Sequence, residues 1–458
     1  MDVETISLSQ ILHATSVEQH YRYAPIVRNF RTAAKSDGPQ GFFRFGDDVI
    51  CFGQSSNHTV FPSVKGHLPD GLNHVQTFDS SIILPFDVDQ VADNLRYERY
   101  EGFSGWQKWV QASALRDVYY RLRPLLSVSI RKHLQKVYLR DWNKIPFPNW
   151  PVDRSVDLLF ERLIVLAMRY SGITRLPFIW FWPDGYNACA ILTHDVETTA
   201  GRDFCSTVMD FDDAAGIKAS FQIVPEKRYT VPAAYLQTIR DRGFEINVQG
   251  LDHDGNLFRS RPEFLESAKH INRYAEQYRA RGFRSPILYR NIDWFQDLNF
   301  SYDLSVPNVA RLEPQRGGCC TVMPFFLPGR VIELPLTTTE DYSIFNVLNE
   351  YSTTLWKKQI QIILAGHGLM TFLIHPDYVM SGKAQDVFKE LLEQMSQLRS
   401  DQNVWVPLPI EVDRWWRQRS EMTLVPADSG WKIQGCGSDR ATLAYACLDG
   451  DNLFYEFA

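Results

Sequence analysis

The stretch ACAILTHDVE, residues 188–197, decides the fold. Five apolar residues in a row, with no polar alternation, mark a strand buried on both faces, the kind found in parallel sheets. The run ends on Thr193, His194, Asp195 and Glu197, so an imidazole and two carboxylates sit at its C-terminal end. Similar runs follow downstream: KASFQIVP (218–225), FEINVQGL (244–251), and strands expected near 287–289, 331–336 and 369–374. Helical stretches separate them. These are 203–215, then 232–242 halted by Gly243, then 261–281 halted by Gly282. Strands alternating with helices predict a parallel α/β architecture, in which chemistry gathers where strands end and loops begin.

The flanks read differently. GFFRFGDDVICFG (41–53) predicts a hairpin turning at Gly46-Asp47-Asp48. Residues 80–100 predict a strand, a break at Pro85 and a helix opened by Asp87 or Asp89. A basic helical stretch spans 115–138, a Pro-rich and aromatic connector 145–153, and a further helix 155–170. After residue 403, WVPLP reads as a strand and EVDRWWRQRS as a short helix. WKIQG, ATLAYACL and NLFYEF then read as strands, with a turn at Asp449-Gly450-Asp451.

With 458 residues the chain is long enough for several domains or one large barrel with additions. Lysine plus arginine total 48 against 54 aspartates plus glutamates, a net charge of −6. That balance offers no general attraction to nucleic acid or anionic lipid. No transmembrane segment is read, since no apolar run reaches membrane-spanning length. The N-terminus does not read as a secretory signal. Seven cysteines, an odd number without any CxxC spacing, read as reduced thiols. The expected location is cytoplasmic.

Four segments carry the candidate chemistry. The first ends in Asp195 and Glu197. The second runs Gln249-Gly250-Leu251-Asp252-His253. The third holds Arg284 before Ser285-Pro286, and the fourth delivers His375 after an apolar strand. Taken singly, Asp195 reads as a helix N-cap, Arg284 as an ion-pair partner, His253 as a turn residue and His375 as a structural histidine. Taken together, they bring carboxylates, imidazoles and a guanidinium to one end of one sheet.

In this order the segments resemble the polysaccharide deacetylase family, also called the NodB homology domain or carbohydrate esterase family 4. The resemblance spans about residues 187–398. The paired acids of that family's first motif are matched by Asp195 and Glu197. Its His-x-x-x-His motif reads Gln249-x-x-x-His253. Its arginine followed closely by proline is Arg284-Ser285-Pro286, and its last apolar strand ends in Leu373-Ile374-His375-Pro376.

The resemblance implies an α/β fold with a distorted (β/α) barrel of the NodB type over 183–400. An N-terminal accessory α/β region, 1–150, would precede it, and a small C-terminal β module, 401–458, would follow. It also implies a carbohydrate substrate and hydrolysis of its N-acetyl groups. Asp195 would be the base, His375 the acid, and Arg284 the charge that keeps Asp195 ionised. Glu197, Gln249 and His253 would be the metal ligands, for Zn²⁺ or another divalent cation.

Two departures stand out: Glu197 is a methylene longer than the usual aspartate, and Gln249 replaces a histidine. Three outcomes stay open. The site holds metal loosely, using Gln249 or a neighbour such as Asp252 or Asp254; it works without metal; or the chain is a catalytically silent sugar-binding or scaffold protein. The sequence names no particular sugar and sets no oligomeric state.

Several other residues attract attention. Asp303 is a candidate support for the site. Glu313, Arg316 and Glu333 are candidate cleft residues. The run Thr337-Thr338-Thr339-Glu340-Asp341 offers hydroxyls to a sugar or starts a helix. Trp415-Trp416 reads as a stacking platform or as core, and Gly317-Gly318-Cys319-Cys320 as a tight turn.

Overall fold

The computed structural model describes residues 15–32, 38–56, 60–78, 81–101, 139–428 and 430–458. The basic stretch 115–138 lies outside the described residues. The chain divides into two compact units. One comprises Met1–Ser113, Arg154–Gly185 and Gln418–Ala458, and the other Ala114–Asp153 and Tyr186–Arg417.

The second unit is built on the stretch quoted first. Strand β1, Ala188–Val196, is buried at every position. Around it the chain lays down β2 (Ala219–Ile223), β3 (Glu245–Gln249), β4 (Gly282–Arg284), β5 (Tyr302–Asp303), β6 (Phe325–Phe326), β7 (Ile332–Glu333), β8 (Leu369–Ile374) and β9 (Val404–Trp405). The sheet runs β6-β7-β5-β4-β3-β2-β1-β8, and β9 also pairs with β1. Only the β6–β7 pair is antiparallel. All nine residues of β1 are buried because it has partners on both edges. β8 covers one edge, while β2 and β9 share the other, β9 pairing with Ala188 and Cys189 and β2 with Leu192 onward. The result is an open, almost wholly parallel sheet with helical crossovers, the α/β architecture expected from the sequence.

Helices α1 (Thr199–Ala214), α2 (Ala233–Asp241) and α3 (Arg261–Tyr278) fill the crossovers from β1 to β4. Helix α1 starts before residue 203 because Thr198 caps it, its Oγ1 accepting from the Gly201 N–H at 3.0 Å. Asp195 is therefore not a cap. Gly243 stops the turn after α2 with a left-handed φ of +75°.

One expected strand is absent. Residues 286–288 form a 3-10 turn, and the strand is Gly282–Arg284 instead. Pro286 opens that turn, and Ile287 and Leu288 both have positive φ. The apolar character of Leu288 has another cause: it packs with Leu336 and Leu373 in a small buried cluster. Arg284 is consequently the last residue of its strand.

The first unit contains the expected hairpin, Gly41–Arg44 paired with Ile50–Gly53. The helix Val88–Arg96 is capped by Asp87, which accepts from the Gln90 N–H at 3.0 Å. Helix Ser155–Ser171 ends at Gly172 with φ 68°. Near the C-terminus, Thr423–Ala427 pairs with Gly430–Gln434. Leu443–Asp449 pairs with Asn452–Phe457 on one edge and, on the other, with Arg175–Ile179, so the last strands complete a sheet with a segment far upstream. Trp415 and Trp416 are buried and offer no stacking surface.

Two loops that carry the candidate site cross at Gly250. Its N–H donates to the Arg284 carbonyl at 3.0 Å, its φ is +56°, and an added Cβ would lie 2.2 Å from Cγ of Pro286. Only glycine meets both demands. Gly250→Ala is expected to lower stability by about 1–3 kcal/mol in urea unfolding. An unchanged unfolding midpoint would mean that this crossing is not tightly held.

Candidate active site

The parallel register brings the polar residues together. Asp195 pairs with Gln222, and Gln222 with Asn247. One step further on, Val196 pairs with Ile223, Ile223 with Val248, and Val248 with Phe283. Gln249 and Arg284 form the next pair, in the row that Glu197 extends. On the other edge Ile374 pairs with His194, so His375 falls in the row of Asp195. Neighbours in a row share a face, as do residues two apart on a strand. Asp195, Glu197, Gln249, Arg284 and His375 thus emerge on one face at one sheet end.

The site is layered in depth. Side-chain exposure is 0% for Arg284 and 4% for Asp195, then 5% for His253, 6% for His375 and 16% for Glu197. Arg284 forms the floor, Asp195 lies above it, and Glu197 is at the mouth with the two imidazoles.

Arg284 Nε lies 3.8 Å from Asp195 Oδ1, and its Nη2 donates to Thr193 Oγ1 at 3.0 Å. Burial pushes the Asp195 carboxyl above its ordinary value, and the charges of Arg284 and His375 only partly offset this. The net direction is the reverse of that expected from the arginine alone. A base so adjusted holds a proton more strongly than an exposed aspartate does.

Glu197 Oε1 is ringed by nitrogen. His253 Nε2 lies at 2.7 Å, Gln249 Nε2 at 3.0 Å and His375 Nε2 at 3.5 Å. Burial alone would raise the Glu197 carboxyl, but His253 and His375 outweigh it and hold the group well below the usual range. Close as it is, the His253 contact lacks hydrogen-bond geometry, and neither ring nitrogen of His253 has a hydrogen-bond partner. The Gln249 amide nitrogen also donates to Asp195 Oδ2 at 3.0 Å, while its own Oε1 is buried without a partner.

His375 is held from behind by Asp341. Its ring Nδ1 lies 2.7 Å from Asp341 Oδ1, and its backbone N–H donates to Asp341 Oδ2 at 2.8 Å. Burial lowers the imidazole pKa, but Asp341 and Glu197 together hold it well above the ordinary 6.5. The Tyr378 ring packs against it at 4.8 Å between centroids.

The sequence run 337–341 serves a purpose other than sugar binding. Thr337 and Thr338 donate their hydroxyls to the Leu369 and Thr371 carbonyls of β8 at 2.7 Å. The Thr339 N–H donates to Gln359 Oε1. This lashing aligns the segment with β8 and presents Asp341 to His375. The signal in sequence was the threonine run ending in an acid.

Other candidates go elsewhere. Asp252 pairs with Lys227 at 2.6 Å, and Asp254 accepts from the Asn256 N–H at 2.8 Å. Asp303 and Glu333 are register partners and form a buried carboxyl pair, both raised by burial, with Arg284 acting on each. Cys319 and Cys320 are buried thiols, donating to the Thr321 and Gly318 carbonyls. Burial pushes Glu313 up to about 7, and it pushes Glu340 up to about 8.

A cation can be weighed against these residues. Asp195, Glu197 and His375 offer ligand atoms within 4.8 Å of one another. His375 Nδ1 is already committed to Asp341 at 2.7 Å. Glu197, the unpartnered ring nitrogens of His253 and the unpartnered oxygen of Gln249 remain. Their chemistry fits a divalent cation that accepts mixed oxygen and nitrogen ligands.

No family model matches the chain, and no curated protein matches it in sequence. Solved structures resemble it over about half its length. A protein described as a polysaccharide deacetylase from Mycobacterium smegmatis shares 16% identity, covering 52% of this chain and 93% of that one, with a TM-score of 0.43. An allantoinase shares 12%, covering 52% and 92%, with a TM-score of 0.39. A peptidoglycan deacetylase from Bacillus subtilis shares 13%, covering 52% and 95%, with a TM-score of 0.33. At such identities the chemistry of this chain has to come from its own side chains.

Asp341→Asn removes a charge while keeping the shape of the clamp. The His375 titration, followed by NMR of its ring protons, is then expected at lower pH than in the parent, because burial loses its main opponent. A titration that stays in place would remove Asp341 from this role.

Proposed function

We propose that this protein is a hydrolase of carbon–nitrogen bonds that removes N-acetyl groups from sugars or sugar precursors. The observation that carries the reading is the facing pair at the sheet end. An Asp195 carboxylate oxygen and a ring nitrogen of His375 lie within 4.8 Å of each other, and Asp341 backs His375 at 2.7 Å. A water and an amide lodged between them would meet a proton acceptor on one side and a donor on the other. The carbohydrate part of the reading rests on the motif resemblance.

Asp195 takes the proton of the attacking water. Its raised pKa makes it a stronger base than an ordinary aspartate, while Arg284 beneath it still favours the ionised form. His375 carries the proton for the departing nitrogen, which must be protonated to leave as an amine. Asp341 orients the imidazole so that Nε2 faces the site, with Nδ1 committed to the carboxylate. Tyr378 limits the swing of the ring. When bound, a divalent cation held by Glu197, His253 and the oxygen of Gln249 would polarise the amide carbonyl and acidify water.

Asp195→Asn and His375→Ala are each expected to lower acetate release from N-acetylated sugars by about 10²-fold or more. Circular dichroism should show the fold intact. Parent turnover should rise with pH as Asp195 loses its proton, at a point above the ordinary 3.8. It should fall as His375 loses its proton, above the ordinary 6.5. Wild-type rates from either variant would withdraw these roles. A variant that keeps sugar affinity while the parent releases no acetate would turn the site into a binding site.

A further inference from the structure

We propose that Gln249 is a reversible counter-group for the Asp195–Glu197 pair: without a cation its amide N–H₂ bridges the two carboxylates, and when a divalent cation binds, the amide turns over and offers its oxygen. This rests on reading Asp195 and Glu197 as the acids of the site, but not on turnover.

The geometry carries both halves. Two carboxylates two residues apart at the end of a buried strand repel each other unless donors stand between them. A primary amide places two N–H bonds on one nitrogen, and that nitrogen lies 3.0 Å from Asp195 Oδ2 and 3.0 Å from Glu197 Oε1. The bridge is neutral and needs no proton from solvent. The opposite end of the same amide is left wanting, because Gln249 Oε1 is buried with no donor. So are Asp195 Oδ1 and both nitrogens of His253.

The amide nitrogen and oxygen are nearly the same size. A half turn brings the oxygen to the place the nitrogen held, beside two carboxylate oxygens. Three oxygens in that arrangement are tenable only around a cation. A histidine at this position has no such second face. It bridges two acids only by way of its ring protons, and it binds metal only by losing one.

Two consequences follow. The site keeps its form when stripped of metal, because the bridge replaces the cation. Cation binding must displace two hydrogen bonds and then relies on an amide oxygen, so selectivity moves away from Zn²⁺ and toward oxygen-preferring ions such as Mn²⁺.

The test uses the full chain after exhaustive chelation. Thermal unfolding is compared with and without chelator, and ZnCl₂ and MnCl₂ are titrated by calorimetry. Stripped of metal, the parent should still unfold in one cooperative transition, below the cation-loaded protein by no more than ligand linkage supplies. Gln249→Leu, which keeps volume but loses the bridge, should melt several degrees lower in chelator. Gln249→His should raise the ratio of Zn²⁺ to Mn²⁺ affinity by about tenfold or more over the parent. The proposal is overturned if Gln249→Leu melts with the parent in chelator, if the two affinity ratios are equal, or if the parent binds neither ion. Should the leucine variant not fold, the affinity ratios decide alone. If the melting and binding results hold and no acetate is released, the deacetylase reading fails and this one stands.

Discussion

The molecule's chemistry depends on one awkward demand: Asp195, on β1, and Glu197, just past its end, lie two residues apart and share a face, and that face points into a largely buried site. An isolated buried carboxylate is costly, and two neighbouring ones more so. Each surrounding group supplies a positive charge or an N–H to this pair. Arg284 comes from below, the Gln249 amide from between, and the two imidazoles from the rim. The pair's two members are shifted in opposite directions. Asp195, deeper and farther from its arginine, is raised; Glu197, ringed by three nitrogens, is lowered. Pushing two carboxyls apart in this way is how a site comes to hold a group ready to accept a proton next to one that stays ionised.

The donors arrive at the right place because the strands are parallel. In an antiparallel sheet adjacent strand ends point in opposite directions, and loops carrying His253, Arg284 and His375 would be spread over both edges. Here β1, β3, β4 and β8 all end at the same side, and the row-by-row register fixes which residue stands beside which acid. The crossing at Gly250 then ties the loop after β3 to the loop after β4. Backbone geometry, more than side-chain packing, aligns the site.

Much of this was legible in the sequence because the signals were local. Continuous apolar runs reveal strands buried on both faces, and β1 and β8 were read directly from them. Polar residues at the ends of those runs pointed to the site. What escaped depended on partners far away in the chain. Ile287 and Leu288 looked like a strand because burial and strand formation both favour such residues, and only their positive φ separates the two. Asp341 was hidden in a threonine run whose hydroxyls turn out to bind the backbone of β8. The direction of the Asp195 shift could not be read from charge alone, because the depth of the residue outweighs its arginine. The role of Gln249 requires knowing that its nitrogen reaches both acids, a distance fact that no spacing encodes.

The two histidines at the rim look equivalent in sequence and are not equivalent in place. His375 follows a buried strand, and its ring and backbone are both clamped by Asp341, so rotation is suppressed and the charged form is favoured. His253 sits in a loop with a left-handed backbone, φ +56°, and neither of its ring nitrogens has a hydrogen-bond partner. An imidazole backed by a carboxylate is suited to carrying a proton in a fixed direction. One with unclaimed nitrogens is suited to accepting whatever enters the site, whether a cation or a substrate hydroxyl. The division of labour between them is therefore set by what lies behind each ring rather than by what lies in front, where both face the same oxygen of Glu197.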